Sequence, residues 1–206
     1  SGTIEYVPGY AMANVDSVDI TLHGKGGHGA FPHATVDPIV LAARTVMALQ
    51  AIVSREKSPF EPGVITVGSI HGGAQHNVIP DQVKLQLTVR SFKPEVRRQL
   101  LAAIERVVNA EAQVSNSPRK PDIAITGGTS ATYNDPELTK RLVGAVAKVL
   151  GVANVRESQP LMAGEDFSAY GLAGVLSAML WVGAVACGNE EVDLPVSSWG
   201  AALQGR

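Results

Sequence analysis

Val18-Asp19-Ile20-Thr21-Leu22 alternates apolar and polar residues, Gly24-Lys25-Gly26-Gly27-His28-Gly29-Ala30-Phe31-Pro32-His33 follows it, and Asp37-Pro38 lies just beyond. Alternation with a period of two marks a half-buried strand. Asp37-Pro38 opens a helix, with aspartate as N-cap and proline at the first helical position. Ile39, Ala43, Val46, Met47 and Val53 then recur at helical spacing to about Arg55. His28 and His33 therefore sit in a glycine-rich turn between a strand and a helix. Glycine lets backbone approach a ligand closely, and loops held by a rigid scaffold are where catalytic groups concentrate.

Reading outward, Val64 to Ile70 is a β-branched strand, and His71 to Asn77 is a second glycine-containing turn. Val83, Leu85, Leu87 and Val89 alternate in a third strand. Lys93-Pro94-Glu95 starts a second helix carrying Val96, Leu100, Ile104 and Val107, and Asp122 to Thr126 is a fourth strand. The order β-α-β-β-α-β over residues 15–127 predicts an α+β chain with a ferredoxin-like domain, a four-stranded antiparallel sheet with two helices on one face. Gly127 to Asn134 is small and polar and reads as a domain boundary. Beyond it, Asp135-Pro136 caps a helix with Leu138, Leu142, Val146 and Val149 on one face. Met162-Ala163-Gly164-Glu165-Asp166-Phe167 is a polar turn, Met179 to Gly183 reads as a strand, and residues 184–206 have weak periodicity.

Composition narrows the classes. The chain has 206 residues, 45% hydrophobic and 17% charged, as in a packed globular protein. A net charge of −2 and 5% aromatic residues give no footprint for nucleic acid or an anionic membrane surface. No uninterrupted apolar run is long enough to span a bilayer, and the N-terminus lacks the pattern of a signal peptide. A single cysteine, Cys187, rules out an internal disulfide and a thiolate zinc cluster and fits a cytoplasmic setting.

The candidate site residues each admit two readings. His28 is either a hydrogen-bond donor to a developing oxyanion or a surface histidine bonding its own loop. His33 is a secondary candidate whose simpler role is to satisfy backbone groups. Asn77 is either a carboxamide donor to a substrate oxygen or a residue suited to a turn. Arg90, on the strand face opposite Val83, Leu85, Leu87 and Val89, is either a solvated side chain or a fork for a carboxylate. Glu165 and Asp166 form an acidic pair in a turn, a pattern that by itself is usually solvated.

Four motifs in order tie these residues together: Gly24 to His33 with Asp37-Pro38, Gly72-Gly73-Ala74-Gln75-His76-Asn77-Val78-Ile79-Pro80-Asp81, Leu87-Thr88-Val89-Arg90-Ser91, and Met162 to Ser168. Together they resemble the lid-domain motifs of the aminoacylase, hippurate hydrolase and carboxypeptidase G family of di-zinc amidohydrolases and metallopeptidases, with the hippurate and auxin-conjugate hydrolase branch nearest. The resemblance implies a lid (dimerisation) domain over residues 13–129. Residues 1–12 would be the tail of an upstream catalytic half, and 130–206 an incomplete α/β remnant of the catalytic domain. It implies that His28 reaches across a homodimer interface to stabilise a tetrahedral intermediate, and that Asn77 and Arg90 bind an N-acyl or N-aroyl amino acid, Arg90 through its carboxylate. It also implies zinc, or another divalent metal, and a glutamate general base.

The family's ligands lie mostly upstream of its lid, and its last histidine ligand lies downstream of the Glu-Asp-Phe motif. No histidine follows His76 in this sequence, and residues 184–206 depart from the family's pattern. The expectation is a portion of an amidohydrolase that is inactive as an isolated chain, without metal of its own, associating as a lid dimer or larger assembly. A non-catalytic dimerisation or carboxylate-binding module is the alternative. Metal-independent hydrolysis is a third reading, weakened by the lack of a Gly-x-Ser-x-Gly elbow. Elemental analysis of the purified chain should find far less than one zinc per chain; a tightly held, stoichiometric metal would contradict this.

Overall fold

The computed structural model describes residues 2–183, and Cys187 with the rest of 184–206 lies outside the described residues. In chain order the elements are β1 (Ile4–Tyr6), β2 (Gly9–Met12), β3 (Asn14–His23), β4 (Gly27–His28), α1 (Pro38–Ala51), β5 (Gly63–His71), β6 (Val78–Ile79), β7 (Gln82–Ser91), α2 (Pro94–Val114), β8 (Asp122–Thr126), β9 (Thr132–Asn134), α3 (Pro136–Leu150), β10 (Val155–Glu157), α4 (Ser168–Leu172) and β11 (Leu180–Val182).

The main sheet has four strands in the order β5-β7-β3-β8, and every neighbouring pair is antiparallel. β3 and β7 pair over their whole length, from Asn14 opposite Ser91 to His23 opposite Gln82. Val83, Leu85, Leu87 and Val89 of β7 are buried, as their alternation predicts, and form one cluster with Val18, Ile20 and Leu22. Leu41 and Leu49 of α1 and Leu100 and Ile104 of α2 complete that cluster. Both helices thus cover the same face of the sheet, where burial of apolar surface is the main stabilising term.

β3 begins earlier than its apolar alternation suggests. Asn14 and Asp16 lie on the core face with Val18 and are almost fully buried. Arg97 of α2 grips the Asp16 carboxylate through Nε (2.8 Å) and Nη2 (2.6 Å). Asn14 Nδ2 donates to Asp16 Oδ2, and Ser91 Oγ donates to Asn14 Oδ1. The hydrogen bond to Asp16 holds the Arg97 guanidinium above its ordinary pKa. A buried carboxylate is tolerated when it is paired and hydrogen-bonded in this way.

α1 begins where expected. Asp37 Oδ1 accepts from the amides of Ile39 and Val40, and Pro38 occupies the first turn. The buried face differs from the expected stripe. Leu41, Ala42, Thr45, Leu49 and Ile52 face the core, whereas Ile39 and Met47 are exposed. The helix is apolar on nearly every side, so periodicity cannot select a face. Thr45 can be buried because its hydroxyl donates to the Leu41 carbonyl at 2.9 Å. With its π-helical last turn, Ile52–Glu56, the helix runs 19 residues from Pro38 to Glu56, long and apolar enough to cross a membrane by length and composition alone. Arg44 and the charged pair Arg55-Glu56 lie within it, so it is not an uninterrupted apolar run. α2 buries Val96, Leu100, Ile104 and Val107 as predicted.

The two ends of the described chain combine. β1 lies between β10, parallel, and β11, antiparallel, and β2 pairs with β9. The segment expected to be a polar boundary therefore ends in a strand. Asn134 is fully buried, donates to the carbonyls of Val7 and Met179, and accepts from the Met179 amide. α3 starts at the Asp135 N-cap as expected, yet among its residues only Thr139 is buried. Val149, Val152, Leu172 and Leu176 are all more than 70% exposed, so this part of the molecule presents uncovered apolar side chains.

Chemical denaturation should show Leu85→Ala losing about 2–5 kcal/mol, the transfer and cavity cost of a truncated core leucine. Asp16→Ala should lose about 2 kcal/mol, because Asn14 and Arg97 lose their acceptor while Arg97 stays partly solvated.

Candidate functional site

Beyond the His23 end of β3, two loops form a lobe. β4 and β6 pair antiparallel, with Gly27 opposite Ile79 and His28 opposite Val78. Asp81 anchors the lobe: its carbonyl accepts from the Gly24 amide and its Oδ1 from the Gly26 amide, both at 2.8 Å. The glycines are required by close approach. A Cβ on Gly24 would sit 2.3 Å from the Val36 carbonyl oxygen, and one on Gly26 would sit 2.6 Å from that of Ile79. The Gly29 amide donates to the Asn77 carbonyl at 2.8 Å, so His28 and Asn77 stand side by side although 49 residues separate them. Both are exposed. His33 lies in the 3₁₀ turn Pro32–Ala34, also exposed, with the Phe31 ring between it and His28. Among the described residues no imidazole–carboxylate pair forms in this lobe.

Arg90 is at the other end of the sheet, opposite Val15 of β3 and Val64 of β5. Its Nη1 donates to the Met162 carbonyl at 2.8 Å, so the strand holds the polar turn that carries Glu165. The same turn is fastened to the chain before β3, where the Ala13 amide lies 3.0 Å from the carbonyls of both Leu161 and Ala163. Gly164 packs so tightly that a Cβ there would come within 2.2 Å of Val15 Cγ2. Glu165 Oε1 accepts from Thr132 Oγ1 (2.9 Å) and from the Phe167 amide (2.8 Å). Asp166 is exposed, and its carbonyl accepts from Ala169. Thr132 was not legible as a site residue, since a threonine in a short polar segment carries no distinguishing pattern.

The predicted site residues thus fall into two groups: His28, Asn77 and His33 in the lobe, and Arg90, Glu165 and Asp166 at the root of the sheet. Eight residues of β3, from Val15 to His23 (23 − 15), separate the two levels, and at a strand rise of about 3.4 Å per residue that is roughly 27 Å. A separate cleft of about 490 Å³, lined by Tyr10, Phe92, Arg97, Thr132, Tyr133 and Leu176 among others, includes none of these six residues.

Among the described residues no three His, Cys, Asp or Glu side chains converge, so the residues present do not by themselves fit a metal centre. His23, one of the five histidines, is buried, and its Nε2 lies 2.8 Å from Asp122 Oδ2. Arg119 Nη2 donates to the same oxygen, and Ser117 Oγ donates to the His23 carbonyl. This histidine is tied into the fold, joining β3, β8 and the chain after α2. The hydrogen bond from His23, followed by that from Arg119, holds the Asp122 carboxyl below its usual pKa range.

Residues 10–116 match the family model described as the peptidase dimerisation domain of M20 proteins. N-acetyldiaminopimelate deacetylase of Leuconostoc mesenteroides is 37% identical over 183 residues, which is 89% of this chain and 47% of that protein. Thermostable carboxypeptidase 2 of Saccharolobus solfataricus is 33% identical, covering 82% of this chain and 42% of the other. Among solved structures, one described as an aminohydrolase from methicillin-resistant Staphylococcus aureus superposes with a TM-score of 0.80 at 32% identity, over 92% of this chain and 48% of that one. The YXEP protein of Bacillus subtilis, described as a dinuclear metal binding peptidase from the M20 family, shares the fold with a TM-score of 0.68 at 24% identity, over 87% of this chain and 43% of that one. The chain spans about half the length of the curated relatives it matches.

The depressed Asp122 pKa stabilises the folded chain above the ordinary carboxylate value, and that contribution is lost as pH falls through the lower folded-state value. A carboxyl-resolved NMR titration should place the Asp122 midpoint below the ordinary 3.8 and move it upward in His23→Leu. An unchanged midpoint in that variant would contradict the assignment.

Proposed function

This chain belongs to the M20 peptidase dimerisation domain family, and we propose that it is the lid-bearing portion of an amidohydrolase that cleaves the amide of N-acyl amino acids as a homodimer. The separation of the two residue groups carries this reading. An N-acyl amino acid is far shorter than roughly 27 Å, so within one chain it cannot touch both His28 and Arg90. A second copy resolves the conflict. β5 is an open edge of nine residues bearing no Lys, Arg, Asp, Glu or Pro, the kind of edge that pairs with another chain unless blunted. Antiparallel pairing of two β5 strands about a two-fold axis would set the lobe end of one copy beside the root end of the other.

In this reading residues 13–129 form a ferredoxin-like lid, supported by the strand order β5-β7-β3-β8 and by both helices on one face. His28 donates to the amide oxygen of a substrate bound to the partner, where negative charge develops. Asn77 presents its carboxamide beside it. Arg90, with one Nη held by Met162, keeps further N–H groups for the substrate carboxylate. The deacetylase relatives favour a small N-acyl group over an N-aroyl one.

Light scattering should give a dimer, reduced to monomer by Thr66→Lys with Ile70→Lys on the β5 edge. The chain mixed with a full-length relative carrying alanine at the position aligned with His28 should restore deacylation. His28→Ala in this chain should lower the restored rate by about 10²-fold or more, the usual effect of removing an oxyanion donor. A monodisperse monomer would overturn the reading. Mixed dimers without restored activity would leave only a dimerisation module.

A further inference from the structure

Three consecutive backbone amides after His28 are each committed to a different acceptor. The Gly29 amide donates to the Asn77 carbonyl at 2.8 Å, and the Phe31 amide donates to the His28 carbonyl at 2.9 Å. Between them, the Ala30 amide donates to the imidazole Nδ1 of His28 at 3.1 Å. The loop therefore closes back on its own histidine. The position of Gly29 makes this possible, since a Cβ there would lie 3.2 Å from the Asn77 carbonyl oxygen. The Phe31 ring stands beside the imidazole, with centroids 5.9 Å apart, and His28 is paired through β4 with Val78 of β6.

A neutral imidazole has one N–H donor and one lone-pair acceptor. A backbone amide can only donate, so the nitrogen it faces must be the acceptor. We infer that the Ala30 amide is a positioning group that fixes His28 in its Nε2–H tautomer, so that the exposed nitrogen is a hydrogen-bond donor and not a base. The group offered to solvent, or to a second copy of the chain, is then an N–H aimed away from the loop. Its complementary partner is an acceptor oxygen, such as an amide carbonyl that gains negative charge during hydrolysis. This assignment rests on the proposed function only for the identity of that oxygen. The tautomer itself is a property of the chain alone.

The second ring nitrogen of a functional histidine sets which form the first one takes. Here a main-chain amide sets it, so no side-chain carboxylate is needed behind the ring. Any residue but proline could supply that amide at position 30, and the sequence gives no hint that Ala30 has this role.

Long-range ¹H–¹⁵N NMR on the ¹⁵N-labelled chain tests the inference, with the His28 resonances identified by their loss in His28→Gln. At a pH where the ring is neutral, Nε2 should be protonated and Nδ1 bare. The ratio of Nε2–H to Nδ1–H should exceed that of the free peptide spanning residues 24–33 by roughly fivefold, the effect of one neutral hydrogen bond. Ala30→Pro, which deletes the donor, should return the ratio to the peptide's value. If Ala30→Pro disturbs the loop, the comparison of the unmodified chain with the peptide still decides. A chain ratio equal to or below the peptide's, or a predominant Nδ1–H form, overturns the inference. The measurement needs neither substrate nor partner. A fixed tautomer without restored activity in mixed dimers would therefore remove the proposed function and leave this inference standing, and the reverse result would do the opposite.

Discussion

The full-length pairing of β3 with β7 is the constraint on which the rest of the molecule depends. It runs from Asn14 opposite Ser91 to His23 opposite Gln82 without a slip. A shift of one residue would send every side chain of a strand to the other face, and the core at Val18, Ile20, Leu85 and Leu87 would be lost. The same register sets the distance between the lobe that holds His28 and the root that holds Arg90. A rigid antiparallel ladder has no soft coordinate along its length, so the two groups stay apart in each chain. In the proposed reading, that stiffness is why the site takes its two groups from two copies.

The root of the sheet is where polar groups are buried. Asp16, Asn14, Ser91 and Arg97 form a connected network, and close by Arg90 and Ala13 hold the turn around Glu165. A satisfied buried network resists rearrangement, because breaking any one link leaves an uncompensated group. The Glu165 turn therefore belongs mechanically to the start of the sheet, although it is distant in sequence. The lobe is built differently, from main-chain hydrogen bonds among glycines, and its side chains remain exposed.

Much of this was legible from the amino-acid order. Alternation located β7 and the later half of β3, the Asp-Pro caps placed the starts of α1 and α3, and the glycine-rich run marked the lobe. The limits were physical. Asn14 and Asp16 hid the start of β3, since buried polar residues break an apolar pattern. α1 is apolar around its circumference, so its stripe of Ile39 and Met47 turned outward while Leu41 and Thr45 turned inward. Thr132 and Asn134 read as linker, and the tertiary structure uses them as a paired strand.

By itself the sequence determined the identity and order of the four long strands and of α1, α2 and α3, the glycine-rich lobe, and the nearness of His28 and Asn77 to turns, because local propensity, capping and periodicity are properties of neighbouring residues. Only the tertiary structure decided which face of α1 is buried, which strand edge stays open, that His28 and Arg90 lie at opposite ends of one sheet, and that the Ala30 amide meets the His28 ring. Those outcomes depend on contacts between residues far apart in the chain or on the exact path of a loop, and neither is written in a local pattern.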